Sequence, residues 1–162
     1  MKKIELGFAS TRRSIFSAPA AVEYADLTRK RLDELGIEYV DIKDINKEGL
    51  LYDEGDRIRI AEKFKAEKVD GLFLPHGNFG TEYECARLAK ELNLPVLLWG
   101  PRDERPDENG VRLRDSQCGL FATGKVLRRF QVPFTYLTNC NLEDAEFERG
   151  IKNFLAVCNV VK

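Results

Sequence analysis

Residues 71–80 read Gly-Leu-Phe-Leu-Pro-His-Gly-Asn-Phe-Gly, and they carry the clearest fold signal of the chain. Its first four residues are a continuous apolar run, as expected for a strand that helices cover on both faces of a parallel sheet. The next six residues include two glycines and lead into a helical pattern, which Thr81 and Glu84 open with the spacing of a capping box. A strand, a loop and a helix in this order predict one unit of a parallel α/β sheet.

The same unit recurs along the chain. Short apolar runs predict strands at 4–9, 37–42, 71–74, 95–99 and 133–137, each followed by a helical pattern. Alternating strands and helices imply parallel pairing through right-handed crossovers. We therefore predict one α/β domain over residues 1–162. It is a three-layer αβα sandwich with a five-stranded parallel sheet, flavodoxin-like or Rossmann-like, in strand order 2-1-3-4-5.

Polar residues predict where the other helices begin. Ser17 is placed to cap the first helix, with Pro19 in the first turn, and the helix is expected to stop at Gly36. Asp115 and Asn141 are placed to cap the fourth and fifth helices.

Composition excludes several classes of partner. The chain has 162 residues, a net charge of −1 and 43% hydrophobic residues, so neither nucleic acid nor an acidic membrane surface is an expected partner. No apolar run approaches the ~20 residues of a membrane span. The four cysteines, at 85, 118, 140 and 158, lack zinc-site spacing and favour the reduced thiols of a cytoplasmic protein. Cys118 is the cysteine to test for reactivity, because a helix N-terminus lowers a thiol pKa.

Four loops carry most of the unusual residues, and the fold places all four at one edge of the sheet. Ligands of open parallel sheets bind beside the carboxyl ends of the strands, which is that edge. The only histidine, His76, and the only tryptophan, Trp99, both fall in these loops. The loops are 9–13, 75–80, 99–103 and 138–140.

Each candidate residue also has a structural interpretation. Arg12 and Arg13 suit hydroxyls or anions, but they equally suit surface ion pairs or a subunit contact. His76 and Asn78 offer the donors and acceptors that a sugar needs, or else satisfy local backbone groups. Trp99 presents a ring face for a sugar, or else fills the core or an interface.

The segment that follows the fourth strand is rich in proline, glycine and charge. The composition of residues 101–114 predicts a protruding loop or hairpin. We interpret it as an arm that either lies in solvent or contacts another subunit. Gln117, in the first turn of the next helix, could reach the crevice. The charged residues of the arm are Arg102, Asp103, Arg105, Arg112 and Arg114.

Familiar catalytic motifs are missing from the sequence. It contains no G-x-G-x-x-G after the first strand, no phosphate-binding P-loop and no G-x-S-x-G elbow. No serine or cysteine lies beside His76 in sequence to form a nucleophile–histidine pair.

Four runs together resemble a known family, the N-terminal domain of L-fucose isomerase-like proteins in the L-fucose/L-arabinose isomerase superfamily. The resemblance covers essentially the whole chain, and Trp-Gly-Pro-Arg-Asp and Asp-Ser-Gln-Cys-Gly are its most specific parts. The runs are Thr11-Arg12-Arg13 with Phe16-Ser17, then residues 75–82, 98–104 and 114–121.

The resemblance implies a larger, multi-domain enzyme that interconverts aldoses and ketoses. Its divalent metal, usually Mn²⁺, would be held by Glu, Asp and His of later domains, and this domain would hold neither a metal nor a catalytic residue. The domain would take part in homo-oligomer contacts and lend residues to a sugar pocket of a neighbouring subunit. The candidate substrate-binding residues are Arg12, Arg13, His76, Asn78, Phe79, Trp99, Arg102 and Gln117.

Three further expectations stay open at this stage. The apolar end Val160-Val161-Lys162 has no polar tail, which favours a piece of a longer protein. A free-standing module that binds a sugar or a small anion is one alternative function. A nucleoside deoxyribosyltransferase-like enzyme is another, because Gly80-Thr81-Glu82-Tyr83-Glu84 vaguely resembles that family, with Glu84 as the nucleophile.

Overall fold

The computed structural model describes residues 3–137 and 139–162; Thr138, part of the fourth predicted loop, lies outside the described residues. Over these residues five strands form one parallel sheet in the order β2-β1-β3-β4-β5, so the predicted fold and strand order are confirmed. The elements are β1 (Leu6–Phe8), α1 (Ala18–Glu34), β2 (Tyr39–Val40), α2 (Glu54–Ala66), β3 (Gly71–Pro75), α3 (Glu82–Leu92), β4 (Val96–Trp99), α4 (Ser116–Arg129), β5 (Thr135–Tyr136) and α5 (Ala145–Val161).

Two apolar cores lie on opposite faces of the sheet, because side chains alternate along each strand. Leu72 and Leu74 of β3 point into the core beneath α2, α3 and α4. Phe73, between them, points into the core beneath α1 and α5. All of β3 and β4 is buried, which explains their continuous apolar runs.

The ends of α1 agree with the prediction. The Ser17 hydroxyl accepts a hydrogen bond from the N–H of Ala20 at 3.2 Å, so it caps the helix. The helix ends at Glu34, and Gly36 follows at φ +65°, a backbone angle that suits glycine.

The predicted capping box of α3 is wrong. Thr81 stands at the N-cap, but its side chain makes no capping hydrogen bond. Glu84 binds Arg57 and Arg87 instead, at 3.1 and 2.8 Å. The charge of two arginines competes for the carboxylate more strongly than the backbone N–H of Thr81 does.

The predicted caps of α4 and α5 also need correction. The Asp115 side chain makes no capping bond, and the carboxylate of Asp103 accepts hydrogen bonds from the N–H groups of Ser116 and Gln117 at 2.9 and 3.3 Å. The last helix begins three residues later than Asn141 predicts, after Asp144. Spacing along the chain cannot reveal a cap that arrives from another segment.

Within the described ranges, no helix is long and apolar enough to cross a membrane.

Candidate functional site

The loops after β1 and β3 are held together by one buried amide. The Oδ1 atom of Asn78 accepts hydrogen bonds from the N–H groups of Arg13 at 2.8 Å and Phe79 at 2.6 Å. Its Nδ2 atom donates to the carbonyls of Arg13 and Ser17 at 3.3 and 3.2 Å. Asn78 is fully buried, so its amide shapes the carboxyl edge of the sheet and does not face solvent.

His76 lies beneath that edge, with its ring against α4. The ring is fully buried, with Nδ1 3.1 Å from the carbonyl of Leu74 and Nε2 2.8 Å from the hydroxyl of Thr123. A carbonyl can only accept, so Nδ1 carries the proton and Nε2 accepts from Thr123. Burial lowers the pKa of His76 to about 4, which keeps the ring neutral at pH 7. Both ring nitrogens are therefore occupied within the protein.

Trp99 fills the core beneath α1 and α5. It is 1% exposed, and its indole N–H donates to the carbonyl of Cys140 at 3.0 Å. Its ring meets Phe147 edge to face at a centroid distance of 4.9 Å. The ring face that the sequence offers to a sugar is covered by other side chains.

Arg12 lies at the outer rim of the same edge. Its side chain is 16% exposed, and its Nε donates to the carboxylate of Glu48. Its guanidinium lies 3.9 Å from the ring centroid of Tyr52, a stacking that orients the planar group.

Arg13 and Phe79 form the second half of the rim. Arg13 is 38% exposed, and its Nη1 donates to Glu82 at 2.8 Å. Its guanidinium lies 5.0 Å from the ring centroid of Phe79, which stacks on Phe16 at 5.8 Å with an interplanar angle of 4°. The rim therefore combines cationic, anionic and aromatic groups.

Arg102 and Gln117 tie the arm of residues 101–114 to the helices. The Arg102 guanidinium pairs with Asp144, and the backbone N–H of Arg102 donates to the side-chain oxygen of Asn141 at 2.9 Å. The amide of Gln117 donates to the carbonyls of Gly100 and Pro101. Neither side chain forms a hydrogen bond or an ion pair with Arg13 or Phe79 among the described residues.

Arg114 is the residue that sequence reasoning placed wrongly. The pattern assigns it to a solvated or intersubunit arm, but its side chain is 1% exposed. Its guanidinium lies 3.7 Å from the ring centroid of Tyr24 and binds Glu104 at 2.7 Å. It also donates to the carbonyl of Arg102 at 3.0 Å. No sequence pattern links Arg114 to Tyr24, because that contact depends on the folded arm.

Gly119 brings α4 against the Phe79 loop, and the sequence pattern gave it no role. A Cβ atom at this position would lie 1.7 Å from the carbonyl oxygen of Phe79, so only glycine allows the contact. Gly119 falls in the Asp-Ser-Gln-Cys-Gly run, which was the available clue.

The prediction for Cys118 is wrong in its direction. The residue is exposed in the first turn of α4, but a hydrogen bond to Asp115 raises the pKa of its thiol. The neighbouring carboxylate outweighs the helix N-terminus, because it acts at contact distance.

Glu84, the nucleophile of the transferase alternative, is 9% exposed between α2 and α3. Two arginines bind its carboxylate, as described above.

The described residues do not fit the Mn²⁺ that the family resemblance implies for the whole enzyme. In the ranges 3–137 and 139–162, no three His, Cys, Asp or Glu side chains are grouped so as to hold a metal ion. No metal-dependent step is therefore assigned to this chain.

Comparison with known proteins identifies the family. Residues 7–162 match the model of the fucose/sulfoquinovose isomerase N-terminal domain. The chain belongs to this family. The family resemblance carried by the Trp-Gly-Pro-Arg-Asp and Asp-Ser-Gln-Cys-Gly runs is thus confirmed. A search of curated proteins finds no match.

Two solved structures are similar to this isomerase-family domain. One is an FMN-dependent NADH-azoreductase from Bacillus anthracis str. Ames Ancestor in complex with FMN. Its sequence is 8% identical, the match covers 98% of this chain and 99% of that chain, and the TM-score is 0.40. The other is an ABC transporter solute binding protein from Bacillus halodurans C-125 with bound myo-inositol. Its sequence is 9% identical, the match covers 96% of this chain and 63% of that chain, and the TM-score is 0.38. Similarity at this level does not indicate what this chain binds.

Proposed function

We propose that this chain is the substrate-recognition and subunit-assembly domain of a metal-dependent aldose–ketose isomerase, and that it has no activity alone. The observation that carries the proposal is the partly exposed rim formed by Arg12, Arg13 and Phe79 in a chain of the isomerase N-terminal domain family. The catalytic carboxylates and the metal ligands then belong to other domains of the same protein.

The rim has the groups that sugar recognition needs. Arg12 uses Nε and Arg13 uses Nη1 in their ion pairs, and their other guanidinium N–H groups make no hydrogen bond to any described residue. Those donors suit hydroxyl oxygens or an anionic substituent. The carboxylate of Glu82 can accept from a hydroxyl. The ring of Phe79 contacts Phe16 and the Arg13 guanidinium, so it orients the guanidinium.

The subunit-assembly role is supported by apolar side chains beside the rim. Ile15, at the tip of the loop after β1, is 79% exposed, and Val111 and Leu113 of the arm are 54% and 51% exposed. The N–H of Ser17 donates to the carbonyl of Leu113 at 3.0 Å, so loop and arm form one surface. Exposed apolar groups that flank a polar site are typical of a protein–protein contact. A neighbouring subunit at this surface would cover the rim.

We expect the substrate to be a sugar, either a neutral one or one that carries an anionic group. The description of the family names one sugar of each kind: fucose is neutral, and sulfoquinovose carries a sulfonate. The rim suits either sugar. The remaining N–H groups of Arg12 and Arg13 can donate to hydroxyls or to a sulfonate, and Glu48 and Glu82 already neutralise the two guanidinium charges.

The test uses the whole protein expressed from the native gene, supplied with Mn²⁺ and assayed with L-fucose and with sulfoquinovose. Loss of one charge-assisted hydrogen bond is worth about 1.5–3 kcal/mol, so Arg13→Ala is expected to raise KM about 10-fold or more. Arg129→Ala, an exposed arginine at the last residue of α4, is the matched control and should leave KM unchanged.

Three results would contradict the proposal. Equal KM values for the two variants would remove the recognition role from the rim. Turnover by the 162-residue chain alone that survives repurification would show that catalysis resides here. Saturable sugar binding by the isolated chain, lost in Arg13→Ala, would favour the free-standing binding module.

A further inference from the structure

β5 is an edge strand of the sheet, and its outer edge has no partner strand among the described residues. It pairs with β4 only, and both of its residues are exposed. The N–H of Leu137 donates to the carbonyl of Leu98 at 3.0 Å, so the backbone groups of alternate residues face β4. The N–H and C=O of Tyr136 therefore face outward.

An apolar groove of about 730 Å³ runs between β5 and the last turns of α5. Phe134 and Tyr136 form one wall, and Val157 and Val161 form the other. Val157 is 49% exposed and Val161 is 65% exposed, which leaves a hydrophobic end on a helix that is otherwise amphipathic.

A second groove, of about 430 Å³, lies between β5 and α4 and shares Phe134 and Tyr136 with the first. Phe121, 64% exposed, lines it together with the exposed cations Lys125 and Arg128. Neither cation takes part in an ion pair found within the described residues. The two grooves form one surface, here named the β5 surface: Phe121, Lys125, Arg128, Phe134, Tyr136, Val157 and Val161.

The charge of the β5 surface disfavours a second copy of this chain as its occupant. An antiparallel pairing of two β5 strands about a twofold axis would continue each helix layer into the other copy. Lys125 and Arg128 would then face their own counterparts, and like charges placed opposite one another are destabilising. We therefore expect the occupant to place carboxylates opposite Lys125 and Arg128.

A sixth strand that directly follows α5 is disfavoured as well. α5 covers the same face of the sheet as α1, which leads from β1 towards β2. A right-handed crossover through α5 would therefore lead back across the sheet and away from the free edge of β5.

A separately folded domain of the same polypeptide can place carboxylates opposite Lys125 and Arg128, and it does not need to add a strand directly after α5. The family is that of an N-terminal domain, which implies further domains in the same protein. α5 ends at Val161, which lines the groove, and the next residue, Lys162, forms an ion pair with Asp70 at 2.6 Å. Polypeptide that continues from this point is tethered next to the groove, at an effective concentration in the millimolar range.

We propose that the β5 surface is the docking site for the domain that follows this one in the same polypeptide. The contact is apolar opposite Tyr136, Val157 and Val161, and acidic opposite Lys125 and Arg128. It does not depend on the sugar-binding role of the rim, which lies at the other end of the strands.

The test compares hydrogen exchange in the 162-residue chain and in the protein expressed from the native gene through its next domain. The Tyr136 amide is expected to exchange at least 10-fold more slowly in the longer protein. In the longer protein, Val161→Asp should restore fast exchange. Val160→Asp is the matched control, because Val160 is 85% exposed in the same turn but does not line the groove. Lys125→Glu should also restore fast exchange, without altering an apolar contact.

Equal exchange of Tyr136 in the two proteins would overturn the proposal, as would equal effects of the two valine variants. Protection that grows with the concentration of the 162-residue chain would assign the surface to a second copy instead. A native reading frame that stops shortly after codon 162 would overturn it outright.

Discussion

The buried His76 makes folding stability depend on pH in a way that can be calculated. Its pKa is about 4 in the folded protein, against 6.5 for an ordinary histidine. The unfolded chain therefore binds the proton first, and the contribution to stability is complete above pH 6.5 and is lost as the pH falls towards 4. At 1.36 kcal/mol per pKa unit, the full loss is roughly 3 kcal/mol. About 2 kcal/mol of it falls between pH 7 and pH 5.

The measurement is urea unfolding of the wild type and of His76→Gln at both pH values. Carboxylates also titrate in acid, but they do so in both proteins and cancel in the difference. The wild type should lose about 2 kcal/mol more than the variant between pH 7 and pH 5. Because the chain has one histidine, a ¹H–¹⁵N spectrum of the imidazole ring reports the same titration without assignment. A ring that protonates near pH 6.5 in the folded protein would refute the reasoning.

Three further predictions concern α4 and its surroundings. Asp103→Ala should destabilise the protein by about 1 kcal/mol in urea unfolding, because it removes the cap of α4. Gly119→Ala should cost about 3 kcal/mol, since its Cβ would overlap the Phe79 carbonyl oxygen. At pH 8, iodoacetamide should modify Cys118 more slowly than it modifies cysteine in a short peptide, and Asp115→Asn should speed the reaction, because the carboxylate raises the thiol pKa.

Each of these predictions has an internal control. Asp115→Ala should leave stability nearly unchanged, because its side chain caps nothing; a loss equal to that of Asp103→Ala would contradict the assignment of the cap. Gly55→Ala, in the first turn of α2, meets only a side-chain oxygen at 3.3 Å and should be tolerated. An unchanged rate in Asp115→Asn would show that the carboxylate does not control Cys118.

The fold could be predicted from the sequence because it depends on apolar runs and their order. The run 71–74 predicted β3 within one residue, and the sheet order followed from the alternation of strands and helices. Caps were less predictable. Ser17 acts on its own helix and was placed correctly, whereas Asp103 reaches α4 from another segment.

The candidate site was predictable as a location, but not in the direction of its side chains. The loop after β3 does lie at the carboxyl edge, yet His76 and Asn78 point inward, where each satisfies buried polar groups. A loop position fixes only the place of a Cα atom, whereas the direction of the side chain depends on the packing around it. The burial of Arg114 likewise depends on Tyr24, 90 positions earlier in the chain, and no local pattern encodes that contact.

The burial of Arg114 also bears on the order in which the chain reaches its native state. A buried charge without its partner costs about 3–5 kcal/mol, so Arg114 becomes buried only when Glu104 of the arm pairs with it and α1 has already placed Tyr24. During refolding the arm is therefore expected to close late, and under mild denaturant it should open first. Because Asp103 lies on this arm, each opening uncaps α4, whose first turns support Phe79. A transient opening of this surface segment would thus loosen one wall of the rim while the sheet stays folded.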